Sequence, residues 1–145
     1  MANACAPMTF TPDQEQPYWQ DGWRRIESGT AGSPLLDISN ATVRLYKETF
    51  GRGPTHARAR FAGADTLVVL LQDAMTVSER KLAALGEHER LREHRLLVHR
   101  TVEDEMRAMV ERILCRRTLA LISGFDTRCD VATEVFLLAP EPAPD

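Results

Sequence analysis

Between Leu35 and Leu138 the spacing of apolar residues switches between helical and extended periods, and the switches divide the chain into seven elements. Ile38, Thr42, Leu45, Tyr46 and Thr49 lie about one helical turn apart and predict a helix, with Ser39 or Asn40 as N-cap. Its end is expected at Phe50, because Gly51-Arg52-Gly53-Pro54 favours non-helical backbone. From His56 to Ala62, Arg58 and Arg60 alternate with Ala57, Ala59 and Phe61, the pattern of a half-buried strand. Gly63-Ala64-Asp65 supplies a turn. Thr66 to Gln72 is apolar on both parities, so this second strand is expected to be central or covered on both faces.

Thr76-Val77-Ser78-Glu79 has the form of a capping box and opens a short helix to Leu85, with Gly86 as its stop. A long helical pattern follows from Glu87 to Arg116, with Leu91, Val98, Val102, Met106, Met109 and Ile113 on one stripe. Unbroken, it would be about 45 Å long, more than the diameter of a ~110-residue globule. The helix is therefore expected to bend, or to have part of its stripe buried by a second subunit. Thr118 to Ser123 and Val131 to Leu138 read as strands, joined by the polar stretch Gly124 to Asp130. The order α-β-β-α-α-β-β predicts an α+β fold: a four-stranded antiparallel sheet with the long helix packed on one face, expected as a homodimer.

Outside this region the pattern changes. Residues 1–35 are rich in Pro, Gly, Ser, Thr, Asp and Gln without sustained period, as in a disordered or loosely docked tail. Yet they carry Phe10, Tyr18 and both tryptophans, Trp19 and Trp23, followed by Arg24 and Arg25. This segment is either a docking peptide for a partner, with Trp19, Trp23 and Arg24 as anchors, or a flap over an apolar groove of its own domain. Residues 36–139 form the single expected domain, and Pro140, Pro142 and Pro144 mark an exposed tail over 140–145. The longest apolar run, Leu67 to Leu71, is far too short to cross a bilayer, so direct membrane insertion is not expected. No secretory signal pattern opens the chain. Cys5, Cys115 and Cys129 cannot all pair and form no CxxC, which fits a reducing cytoplasm. With 18 Lys plus Arg against 21 Asp plus Glu, the net charge of −3 argues against nucleic-acid binding.

The inventory of reactive chemistry is thin. His88, His94 and His99 are spaced six and five apart, which does not place them on one helical face, and no HExxH occurs; no metal is expected. GxSxG, Walker and dinucleotide patterns are missing, so no cofactor and no catalytic residues are expected. Cys115 and Cys129, at the ends of a helix and a strand, read as buried thiols. Glu103, Asp104 and Glu105 read as a solvated face. Arginine is the distinctive residue: only Lys47 and Lys81 among the basic residues are lysine. Arg52, Gly53, Arg58, Arg60 and Arg95 are candidates for an anion pocket for bicarbonate, phosphate or a nucleotide, combining guanidinium forks with turn N–H groups. The alternative is that these arginines pair with Glu79, Glu134 and the acidic helix run.

A set of motifs gives a family likeness. Ile38-Ser39-Asn40, Val43-Arg44-Leu45-Tyr46-Lys47, Gly51-Arg52-Gly53-Pro54 and Ala57-Arg58 are joined by Thr76-Val77-Ser78-Glu79-Arg80, Arg95, Val110-Glu111 and Val131-Ala132-Thr133-Glu134-Val135-Phe136-Leu137-Leu138. Together they resemble the small bacterial MpsC family over about residues 36–139. The resemblance implies a domain without established catalytic residues. It also implies association with a Na⁺-translocating system in which an NADH-dehydrogenase-like membrane subunit and a large zinc-containing partner generate membrane potential or take up inorganic carbon. The implied role is that of a cytoplasmic accessory or regulatory protein at the cytoplasmic face of such a complex. Two positions depart from the family pattern: Cys115 stands where glycine is usual at the end of the long helix, and Gly124 where an acidic residue is usual.

Overall fold

The computed structural model of the protein describes residues 33–141. Trp19, Trp23 and Arg24, the candidate partner anchors, lie outside the described residues. Helix α1 spans Pro34–Phe50 and begins before the predicted caps. Pro34 suits a first helical turn, where its missing N–H costs nothing, and Ser33 takes the extended N-cap conformation. Ser39 is inside the helix, its hydroxyl donating to the Leu35 carbonyl at 3.0 Å. Gly51 closes α1 with φ 80°, a conformation that favours glycine, and its N–H donates to the Lys47 carbonyl. At Gly53 a Cβ would sit 3.1 Å from the Val43 carbonyl oxygen, so the turn brings the chain back hard against α1.

Strands β1 (His56–Phe61) and β2 (Thr66–Gln72) form an antiparallel hairpin. Helix α2 (Val77–Ala84) starts at the predicted capping box, with Glu79 N–H donating to Thr76 Oγ1 at 3.2 Å and Thr76 N–H to Glu79 Oε1 at 2.9 Å. Helix α3 (His88–Leu114) has 27 residues, about 40 Å at 1.5 Å per residue. The hairpin β3 (Thr118–Asp126) and β4 (Val131–Leu138) completes an antiparallel sheet of order β1-β2-β4-β3. β3 runs three residues beyond the predicted Ser123, because the ladder continues through Gly124↔Thr133, Phe125↔Ala132 and Asp126↔Val131. The polar connection shortens to Thr127–Asp130.

The order and architecture are those expected, an α+β fold with the long helix on one face of the sheet. Leu67, Val69 and Leu71 of β2, Ala132, Phe136 and Leu138 of β4, and Phe125 of β3 meet Ile38 and Tyr46 of α1 and Leu91, Val102, Met106, Met109 and Val110 of α3. The α3 stripe is thus buried within the chain from Leu91 to Val110, and its length alone calls for no second subunit. Three side chains differ from expectation. Phe61, at the end of β1, is 44% exposed. Cys115 and Cys129 are exposed, one at the left-handed cap of α3 and the other in the β3–β4 turn.

Candidate functional site

The β2–α2 connection is held from three sides. Arg52 Nη1 donates to the carbonyls of Asp73 (2.7 Å) and Met75 (2.8 Å), and its Nη2 to the Asp73 carboxylate at 3.0 Å. Asp130 Oδ1 accepts the N–H groups of Ala74 (3.0 Å) and Met75 (3.1 Å). Arg95 reaches up from α3 to the Ala74 carbonyl at 2.8 Å. Asp73 itself adopts φ 57° and accepts from Arg52, Thr55 and Arg80. Its partial burial pushes the carboxyl up, but the hydrogen bonds and charges of Arg52 and Arg80 outweigh this and hold it below its ordinary range.

Arg95 is 0% exposed. A cation there persists because Glu79 meets it in a fork: Nε to Oε2 and Nη2 to Oε1, both at 2.6 Å. The guanidinium carbon lies 3.9 Å from the centre of the Phe50 ring and 4.9 Å from that of Phe125. Burial raises the Glu79 carboxyl, yet the Arg95 bond and the capping bonds prevail and lower it. Nη1 is the one buried nitrogen of Arg95 without a hydrogen-bond partner.

One turn along α3, His99 faces a second buried cluster. Tyr46 of α1 donates to Glu134 Oε1 at 2.6 Å, and His99 Nε2 lies 3.3 Å from the Tyr46 oxygen. His99 Nδ1 is 3.1 Å from the same Glu134 oxygen but makes no directed hydrogen bond. Ser123 of β3 donates to Glu134 Oε2. Burial raises the Glu134 carboxyl to about 7, against the opposing pull of the Ser123 and Tyr46 hydrogen bonds. Burial, with the Arg95 charge adding to it, lowers His99 to about 4. Burial and the nearby Glu134 hold the Tyr46 hydroxyl well above its ordinary range.

The other face of the sheet, among the described residues, is largely aliphatic. Val68 and Leu70 of β2, Val135 and Leu137 of β4, and Ile122 of β3 stand in register there and take no part in the core. Ile122 is 66% exposed. Arg58 and Arg60 of β1 flank the patch at one edge, opposite Leu70 and Val68, and Asp126 lies at the end of β3, opposite Val131.

The predicted anion pocket is not assembled as one site. Arg95 is enclosed with Glu79, Arg52 is committed to the β2–α2 connection beside Gly53, and Arg58 and Arg60 lie on the far face of the sheet. The pairing of Arg95 with Glu79 matches the alternative expectation. Among the described residues, no group of His, Cys, Asp and Glu could hold a metal ion, and no helix is long and apolar enough to cross a membrane.

A family model described as "Na⁺-translocating membrane potential-generating system (MpsC)" matches residues 31–140. The chain belongs to the MpsC family. No curated protein and no solved structure matches it. The MpsC-like motifs converge in space: Gly51-Arg52-Gly53-Pro54, Thr76 to Arg80 and Arg95 all build the clamp on the β2–α2 connection, while Tyr46 and Glu134 meet in the second cluster. The features by which this sequence reads as MpsC are therefore largely those that fix α1, α2 and α3 to the sheet. Arg95 stands out in the sequence as a candidate, but its burial and that of His99 do not show in an apolar stripe drawn through Val98. The spacing Leu91, Arg95, His99, Val102 and Met106 places both on the buried stripe.

Proposed function

We propose that this chain is a non-catalytic accessory component of the membrane-potential-generating system after which its family is described, working in the cytoplasm as a homodimer joined through the open face of its sheet. The observation that carries this reading is the apolar patch of Val68, Leu70, Val135, Leu137 and Ile122, bordered by charged residues and left outside the core. Such patches mark association surfaces. A second copy offers the patch an equally apolar face. A two-fold axis parallel to the strands lays β1 of one copy over β3 of the other, and the register then sets Val68, Val135 and Ile122 of one copy against the same row of the other. Four strands about 4.8 Å apart and roughly 25 Å long present about 500 Å² per copy, about 1,000 Å² in all, which reaches the minimum size of a biological interface. The burial of Arg95 with Glu79 and the use of Arg52 inside the fold favour a structural role for these arginines over an anion pocket.

The test is genetic and biophysical. In cells that depend on the system, loss of this chain lowers membrane potential, the wild-type chain restores it, and Ile122→Arg, which leaves the core intact, does not. Full restoration by Ile122→Arg would refute docking through this face. Calorimetric titration of the wild-type chain with bicarbonate and phosphate is expected to be silent, and heat lost on Arg52→Ala would instead support an anion site.

A further inference from the structure

Glu134 is 1% exposed and meets a different group from each surrounding element. Tyr46 reaches it from α1, His99 from α3 and Ser123 from β3, and its cross-strand neighbour on β2 is the apolar Val69. Arg95, one turn from His99 on α3, already has its fork on Glu79 of α2. Among the described residues, no arginine or lysine is therefore committed to Glu134.

Counting hydrogens shows what the cluster lacks. Three contacts link Tyr46, His99 and Glu134: Tyr46 to Oε1 at 2.6 Å, Nε2 to the Tyr46 oxygen at 3.3 Å, and Nδ1 to Oε1 at 3.1 Å. Each needs one hydrogen. The tyrosine hydrogen is spent on Oε1, so the imidazole hydrogen belongs on Nε2, facing the tyrosine oxygen. Nδ1 then presents a lone pair to a carboxylate oxygen, and it is this nitrogen that has no directed bond. The Ser123 hydrogen is already on Oε2. One added proton relieves the remaining clash of acceptors.

We propose that Tyr46, His99, Ser123 and Glu134 form a proton-binding site, with the proton carried by Glu134, whose occupancy sets how firmly α1 and α3 sit on the sheet. The displaced titrations agree on where the proton goes. Glu134 is raised to about 7 and His99 lowered to about 4, so the carboxyl holds the proton and the ring stays neutral. Loss of that proton leaves an unpaired negative charge beneath both helices. The strand that carries Glu134 also carries Thr133 and Val135 to the open face, which gives the site a route to the docking surface. Such a device would let a component of a membrane-potential system respond to the pH around it.

The test uses the full chain with ¹³C-labelled glutamate side chains, followed by NMR from pH 5 to 9. One carboxyl is expected to titrate near pH 7 and to be missing in Glu134→Gln. Over the same range, hydrogen exchange of the α1 amides, corrected for its intrinsic pH dependence, is expected to rise above pH 7 in the wild type and stay flat in Glu134→Gln. Should Glu134→Gln fail to fold, Tyr46→Phe decides. It removes a hydrogen bond that favours the ionised carboxylate, so the midpoint should move up by about one pH unit. A Glu134 carboxyl titrating below pH 5, an unmoved midpoint in Tyr46→Phe, or α1 exchange indifferent to pH would overturn the proposal. None of these readouts involves a second copy, so they are independent of the docking reading.

Discussion

Arg95 and Glu79 show how a single residue can serve two structures at once. Glu79 completes the capping box of α2 and neutralises a guanidinium that would otherwise be buried alone. Removing one partner of a buried pair leaves the other charge uncompensated, which costs far more than removing both. Arg95→Met should therefore destabilise the fold by about 3–5 kcal/mol in urea denaturation. Adding Glu79→Gln, which keeps an acceptor for the cap, should recover a large part of that loss. A double variant no more stable than the single would show that the charge pair is not the cause. The second buried pair has a different pH signature. Glu134, raised to about 7, gives stability that is present in acid and lost as pH rises through 7. His99, lowered to about 4, acts in the opposite sense, costing stability below its unfolded value near 6.5. Between roughly pH 4.5 and 6.5 the folded chain keeps one proton on Glu134 and the unfolded chain keeps one on the imidazole, so the two contributions cancel. His99→Gln should remove the compensation and make stability fall from pH 5 to 7.5, read from denaturation midpoints. Asp73 and Glu79, both lowered, add stability that is lost only toward strong acid, below the ordinary carboxylate range.

At the scale of elements, the corner between α3 and β3 carries a local cost. Cys115 holds φ 53° at the α3 C-cap, where a Cβ is unfavourable. The corner is kept by Glu111, whose Oε1 accepts from the Thr118 N–H (2.8 Å) and hydroxyl (2.7 Å), and by Arg107, which donates to the Thr118 carbonyl at 2.8 Å. Cys115→Gly should raise stability by about 1 kcal/mol, measured by chemical denaturation, and an unchanged or lowered value would mean that the cap is not strained. Elements of this kind were legible to different degrees. The hairpin β1–β2, the α2 capping box and the stop at Gly51 were readable because their signals are local: alternation, a Thr-x-x-Glu pair and a glycine at positive φ. The start of α1 was not, since Ser33-Pro34 belongs by composition to the preceding segment, although Ser33 is the extended N-cap and Pro34 opens the first turn. The last residues of β3 were missed because Gly124 reads as a break, whereas its pairing with Thr133 comes from the partner strand. Arg95, His99 and Glu134 were the hardest to place. Charged residues on a buried face look like errors in the hydrophobic period unless their partners on other elements are known.

For the whole molecule, the two faces of the sheet have separate tasks. One face, under α1 and α3, holds the core and its titrating residues; the other presents aliphatic side chains beside an arginine edge, with Asp126 at the end of β3. The apolar run Leu67 to Leu71 follows from this division, with alternate residues serving the core and the open face. The proposed homodimer joins through the open face, and sedimentation of the full chain at micromolar concentration tests that directly. The wild-type chain should sediment at about twice its 16.3 kDa mass, and Ile122→Arg should sediment as a folded monomer. A wild-type chain that stays monomeric throughout, or an Ile122→Arg chain that still pairs, would contradict it.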